Sequence, residues 1–140
     1  MRVPSREQVL KFCHDNTILD SLGVKVIPTP DGCVKLELEV ENRHSNCYDI
    51  LHGGVLTTMA DTAMGAACFM LNKKVVTVSI TMEFMHPIKL GMKIFTDAKV
   101  LSEGNRVMIC ECRLTDEYGK LFAKSNATFY AVAKVFDDEE

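Results

Sequence analysis

Between Val55 and Leu71 there is a single charged residue, Asp61. The run around it is rich in Ala, Leu and Met and contains no proline, which predicts a helix, and its apolar residues surround nearly the whole circumference. A carboxylate in such a helix is costly unless it is paired or used. Thr57, Thr58, Asp61 and Thr62 fall on one narrow stripe. Two roles fit Asp61. It is either a satisfied carboxylate bonded to Thr57, Thr58 or nearby backbone, or a general base or nucleophile. The helix begins at His52-Gly53-Gly54. The first amides of a helix have no internal partner and carry the positive end of its dipole. Glycines let a ligand approach them, so this terminus suits an anion or a developing oxyanion. The same glycines would equally serve a tight loop-to-helix turn.

Spacing constrains any joint chemistry. Asp61 lies eight residues beyond Gly53, roughly 12 Å along a helix, too far for an aspartate side chain to span. If both serve one reaction, they come from two copies whose helices lie antiparallel, with the polar stripe at the seam. At least a homodimer with two equivalent sites follows.

The elements that position these residues are legible in order. Residues 5–22 read as a first helix, with a capping box at Ser5-x-x-Gln8 and a stop at Gly23. A short strand, 24–27, leads to a turn at Pro28-Thr29-Pro30-Asp31-Gly32. From Val34 to Glu41 the pattern is strictly period two, with Val34, Leu36, Leu38 and Val40 on one face. The central helix spans about 53–71. A strand over 75–85 is expected to set Val76, Val78, Ile80, Met82 and Phe84 on one face and Thr77, Ser79, Thr81 and Glu83 on the other. Strands over 92–102, 106–115 and 120–135 follow, joined by turns at Gly104-Asn105 and 116–119, so a four-stranded meander is expected after the helix. One helix apolar on most sides needs a curved antiparallel sheet around it. The fold class expected is therefore α+β, the hotdog architecture, as a single domain over 1–140.

Composition narrows the chemistry. At 140 residues, 47% hydrophobic and 25% charged, the chain has the profile of an ordinary soluble domain. A net charge of −3, with an acidic tail at 137–140, argues against nucleic acid as the partner. The apolar run at 55–71 is close to a short membrane span, but Asp61 near its middle and the half-wet strands beside it argue against one. No signal peptide is apparent, which points to a cytoplasmic protein with free thiols at Cys13, Cys33, Cys47, Cys68, Cys110 and Cys112. Cys68 reads as a core residue. His14, His44, His52 and His86 are dispersed, no metal-ligand spacing occurs, and no cofactor is expected.

The pattern N-x5-H-G-G-x7-D, here Asn46, His52, Gly53, Gly54 and Asp61, resembles the signature of hotdog-fold acyl-CoA thioesterases of the phenylacetate-degradation (PaaI-like) type. The stretch Thr77 to Pro87, T-V-x-I-x-x-E-F-M-x-P, resembles that family's next strand, and the likeness runs from about residue 15 to 135. The resemblance implies hydrolysis of an acyl-CoA. The Gly53 amide would polarise the thioester carbonyl, with Gly54 beside it. Asn46 and His52 would position the thioester, Asp61 of the other subunit would act as nucleophile or base, and Thr77 would help place water. It also implies a dimer, with a dimer of dimers expected. Gly91-Met92 stands where the family commonly has Gly-Asp. His86 reads as structural, and Lys89, Lys93 and Arg106 read as solvated charges, although they are candidates for the phosphates of coenzyme A. A non-catalytic acyl-CoA sensor on the same fold is the rival reading. Hydratase chemistry is disfavoured, because neither the H-F-P nor the D-x-N-P-x-H run of those enzymes is present.

Overall fold

The computed structural model describes residues 2–30 and 34–137. The expected turn at Asp31-Gly32, the Cys33 thiol and the tail beyond Asp137 lie outside the described residues. The first helix is two helices. Helix α1 spans Arg6–Asp15 and α2 spans Thr17–Leu22, separated at Asn16, whose φ of −81° and ψ of 87° are not helical. The Ser5–Gln8 capping box is formed at the start of α1, and Gly23, at φ 72°, ends α2 in the left-handed region. Strands β1 (Lys25–Pro28) and β2 (Val34–Glu39) follow, then a 3-10 turn at Asn42–His44. Helix α3 spans Gly53–Phe69. Strands β3 (Lys73–Phe84), β4 (Lys93–Glu103), β5 (Val107–Asp116) and β6 (Leu121–Lys134) complete the fold.

All six strands form one antiparallel sheet in the order β1-β2-β4-β5-β6-β3. The expected four-strand meander is therefore three strands, β4–β5–β6. Strand β3 instead crosses over to pair with β6 and forms one edge of the sheet. Helix α3 packs against every strand from β2 to β6. Its Leu56, Met59 and Met64 are buried, as are Val34, Leu36, Leu38 and Val40 of the period-two segment and Met108, Cys110, Cys112 and Leu114 of β5. Each fully buried Leu or Met contributes about 1.5–3 kcal/mol of transfer free energy, so the helix is held mainly by the sheet around it.

The β3 pattern differs from the alternation expected. Thr77 pairs with Phe129 and Ser79 with Thr128, so Val78 is an extra residue in a β-bulge. Side chains switch faces across it. Val75, Ile80 and Met82 pack on the core, whereas Val76 and Val78 are 51% and 64% exposed. The bulge is what gives Thr77 the helix-facing side.

Candidate functional site

The N-terminus of α3 is built by three consecutive residues. His52 is the N-cap, and its Nδ1 accepts from the Gly54 N–H at 2.8 Å. The Val55 N–H donates to the His52 carbonyl at 3.0 Å. Among the described residues, no acceptor meets the Gly53 N–H. One amide at the positive end of the helix is thus left available. Because Nδ1 accepts, the neutral His52 ring carries its proton on Nε2, and the side chain is exposed. Gly53 lines a cavity of about 330 Å³ together with Asn46, Leu56, Phe84, Pro87 and Ile88. The Phe84 ring closes over it, so a Cβ at Gly53 would stand 3.0 Å from Cζ. Asn46 folds the preceding loop. Its Oδ1 accepts from the Tyr48 N–H at 2.9 Å and the Ile50 N–H at 3.4 Å, and the residue lines the same cavity as Gly53.

Asp61 is half-buried, two turns along α3. The threonines of its own stripe do not serve it. Thr57 Oγ1 donates to the Gly53 carbonyl at 2.9 Å and Thr58 Oγ1 to the Gly54 carbonyl at 3.0 Å, the back-bonding typical of helical threonines. Instead Thr77 Oγ1, on β3, donates to Asp61 Oδ1 at 2.6 Å. That length is typical of an O–H bond to a carboxylate. Among the described residues, no donor meets Oδ2. Asp61 and Thr77 line a second cavity of about 130 Å³, with Phe12, Asn16, Gly65 and Phe129.

The structure thus sorts the candidate residues into two groups on one chain. Asn46, Gly53 and the Phe84 ring share one cavity, with His52 and Gly54 beside it. Asp61 and Thr77 share the other. Phe84 stands on the face of Ile80 and Met82, as period-two counting places it, whereas Thr77 lies before the bulge and comes to that side against the count. Phe12 and Asn16 reach the second group from α1 through a long-range contact with no local signal. His86 is exposed, with its ring edge-on to Phe122 at 5.8 Å. Arg106 donates to the Ala131 carbonyl at 3.4 Å, while Lys89 and Lys93 are exposed. Among the described residues, no cluster suits a metal ion, and no helix is long and apolar enough to cross a membrane.

The Thioesterase superfamily profile matches residues 48–123, which takes in His52, Gly53, Gly54, Asp61 and Thr77 but not Asn46. Human acyl-coenzyme A thioesterase 13 is 32% identical over 108 residues, covering 75% of this chain and 77% of that protein. Among solved structures, the Escherichia coli PaaI protein of the phenylacetic acid degradation operon superposes with a TM-score of 0.83 at 22% identity, over 92% of this chain and 94% of that one. A hypothetical thioesterase of Streptococcus pneumoniae, solved with coenzyme A, gives a TM-score of 0.74 at 22% identity, over 79% and 90%. It has also been solved with an aspartate, and separately a threonine, replaced by alanine.

Proposed function

The chain belongs to the thioesterase superfamily, and from that membership we propose that it hydrolyses an acyl-CoA thioester at a site shared by two subunits. The observation that carries the mechanism is the unpaired Gly53 amide at the head of α3. A thioester carbonyl oxygen accepting from it gains the helix dipole as well as a hydrogen bond, and the gain grows as charge develops on that oxygen. The Asn46 amide and the His52 Nε2–H are further donors for placing the thioester. The cavity beside them, walled by Leu56, Phe84, Pro87 and Ile88, is apolar enough to hold carbon chain.

Asp61 of the partner subunit faces the reacting carbon. Thr77 anchors one carboxylate oxygen and leaves the other to take a proton from water, whose oxygen attacks the carbonyl carbon. The C–S bond then breaks, and the coenzyme A thiolate leaves and is protonated. Direct attack by Asp61, giving an anhydride that water opens, uses the same geometry. In a single turnover in 18O-labelled water, label in Asp61 identifies direct attack with water opening the anhydride at the Asp61 carboxyl carbon, whereas label in the product acid alone excludes that route. The pneumococcal variants replace an aspartate and a threonine 16 positions apart, the separation of Asp61 and Thr77.

The edge position of β3 supports sharing. This twelve-residue edge strand has Val76, Val78 and Phe84 more than half exposed. Natural proteins seldom leave such an edge uncovered. If two β3 strands pair antiparallel about a twofold axis between Ile80 and Thr81, Thr77 of one chain lies opposite Phe84 of the other. Asp61, beside Thr77, then approaches Gly53, beside the other Phe84.

The test is turnover of an acyl-CoA panel read by chromatography, with Asp61→Asn in parallel. Free coenzyme A and acid should appear in equal amounts, and the variant should fall by about 100-fold or more. Near-full turnover by the variant would overturn this mechanism. Tight acyl-CoA binding with no product would favour the sensor reading.

A further inference from the structure

Asp61, Gly65 and Phe69 recur every fourth residue, so they share one face of α3. Helix α1 lies against this face. The Phe12 ring sits over Gly65, where a Cβ would stand 3.9 Å from Phe12 Cζ, and it stacks on Phe69 with centroids 4.6 Å apart at 33°. Gly65 is roughly 6 Å along the helix from Asp61. On one side of Phe12 is the 130 Å³ cavity that holds Asp61 and Thr77. On the other is a separate cavity of about 340 Å³, walled by Phe69, Val135, Phe136 and the stem of Lys11. Phe12 and Asn16 line both cavities, so this pair is the partition between them. Asn16 fixes the partition from below. Its Nδ2 donates to the Phe12 carbonyl at 2.7 Å, and the chain leaves the helical region at Asn16 itself.

We propose that Phe12 is the specificity-determining end wall of the acyl site, restricting it to short or single-ring acyl groups. The inference rests on the acyl-CoA reading above and deepens it. An acyl group whose carbonyl is attacked beside Asp61 and whose tail enters the adjoining cavity runs along α3 and meets the Phe12 ring after one helical turn. The 130 Å³ space is of the size that takes a single ring, about 150 Å³ for benzene, and its wall mixes Phe12, Val75 and Phe129 with the polar Asn16, Thr62 and Lys73. Along this path longer chains have room only beyond the ring, in the second cavity, whose wall combines Phe69, Val135 and Phe136 with Gln8, Lys11 and Asp15 and leads toward the end of β6. Removing the ring joins the two spaces, and enlarging it shortens the first.

The experiment measures kcat/KM over saturated acyl-CoAs from two to sixteen carbons, plus phenylacetyl-CoA, for the wild type, Phe12→Ala and Phe12→Trp. A methylene accommodated or refused in an apolar pocket changes kcat/KM by about tenfold or more. Phe12→Ala should raise the ratio of dodecanoyl to butyryl kcat/KM at least tenfold. Phe12→Trp should move the cut-off to shorter chains. The opposite shifts in two variants exclude a general loss of packing, which would lower all substrates together. Equilibrium binding of non-hydrolysable acyl-CoA thioethers should show the same chain-length shift without turnover. Wild-type turnover with superposable chain-length profiles in all three proteins would overturn the end-wall inference while leaving the acyl-CoA reading intact. Failure of the wild type to bind or cleave any acyl-CoA would overturn both.

Discussion

A threonine on a neighbouring strand, rather than one on the same helix, holds the carboxylate of Asp61. Helical threonines satisfy themselves on the carbonyl four residues back, as Thr57 and Thr58 do, so the stripe that surrounds Asp61 in sequence has no hydrogen left for it. The Thr77 hydroxyl orients the carboxylate at 2.6 Å. Hydrogen bonds to charged groups contribute about 1.5–3 kcal/mol. Thr77→Val, which keeps the shape and removes the donor, should therefore lower kcat by roughly 10- to 100-fold, with Thr77→Ser recovering most of it. Steady-state kinetics of the two variants checks this; equal losses in Val and Ser would deny the hydroxyl its role. Asp61, Gly53 and their neighbours were legible as candidates because a lone charge and a Gly-Gly pair stand out against an apolar run. The carboxylate's actual partner was not, because a contact across 16 residues follows no helical or strand period.

At the scale of elements, the long helix was readable from its helix-forming residues without proline, and the segment at 34–41 from its unbroken period-two alternation. Strand β3 was not. Valines stand at 75, 76 and 78, on both parities, so alternation alone cannot locate the extra residue at Val78, and the face assignment reverses across it. The crossover of β3 to β6 likewise has no local signature. Neither does the break at Asn16 that divides the first helix. A further device joins α3 to β3. Asn72 is buried at φ 65°, its Nδ2 donates to the Phe136 carbonyl at 3.0 Å, and its Oδ1 accepts from the Phe136 N–H at 2.7 Å. It ties the end of β6 to the α3–β3 turn and so shapes the cavity beyond Phe12. Left-handed backbone disfavours alanine by about 1–2 kcal/mol, and each lost bond adds about 0.5–1.5 kcal/mol. Asn72→Ala should cost about 2–5 kcal/mol in urea unfolding, and Asn72→Gly about 1–2 kcal/mol less; an alanine variant as stable as the wild type would contradict the clamp.

For the whole molecule, two consequences follow from how completely the sheet closes over α3. The first is an alkaline limit on stability. Burial pushes the Cys112 thiol up to about 12 from its ordinary value of 9.0. Its hydrogen bond with Cys110, together with burial, pushes Cys68 up as well. A folded-state pKa raised in this way leaves stability intact below pH 9 and erodes it between about 9 and 12, where only the unfolded chain ionises. The slope from Cys112 reaches about 1.4 kcal/mol per pH unit. Chemical denaturation at pH 8, 9.5 and 11 should show this decline, and Cys112→Ala should make it shallower; an identical decline in the variant would assign it elsewhere.

The second consequence is that one chain holds the unpaired Gly53 amide and the Asp61 carboxylate in separate cavities, about two helical turns apart. The account therefore stands on two chains completing each other. The measurement that tests this most directly mixes two inactive proteins, Asp61→Asn and Gly53→Val, the latter driving a side chain into the Phe84 ring. After subunit exchange, demonstrated by mass spectrometry of the mixed species, half of the dimers carry one intact pair. Activity should then return to about a quarter of the wild-type value. Mixed dimers that form and stay as inactive as their parents would contradict a shared site.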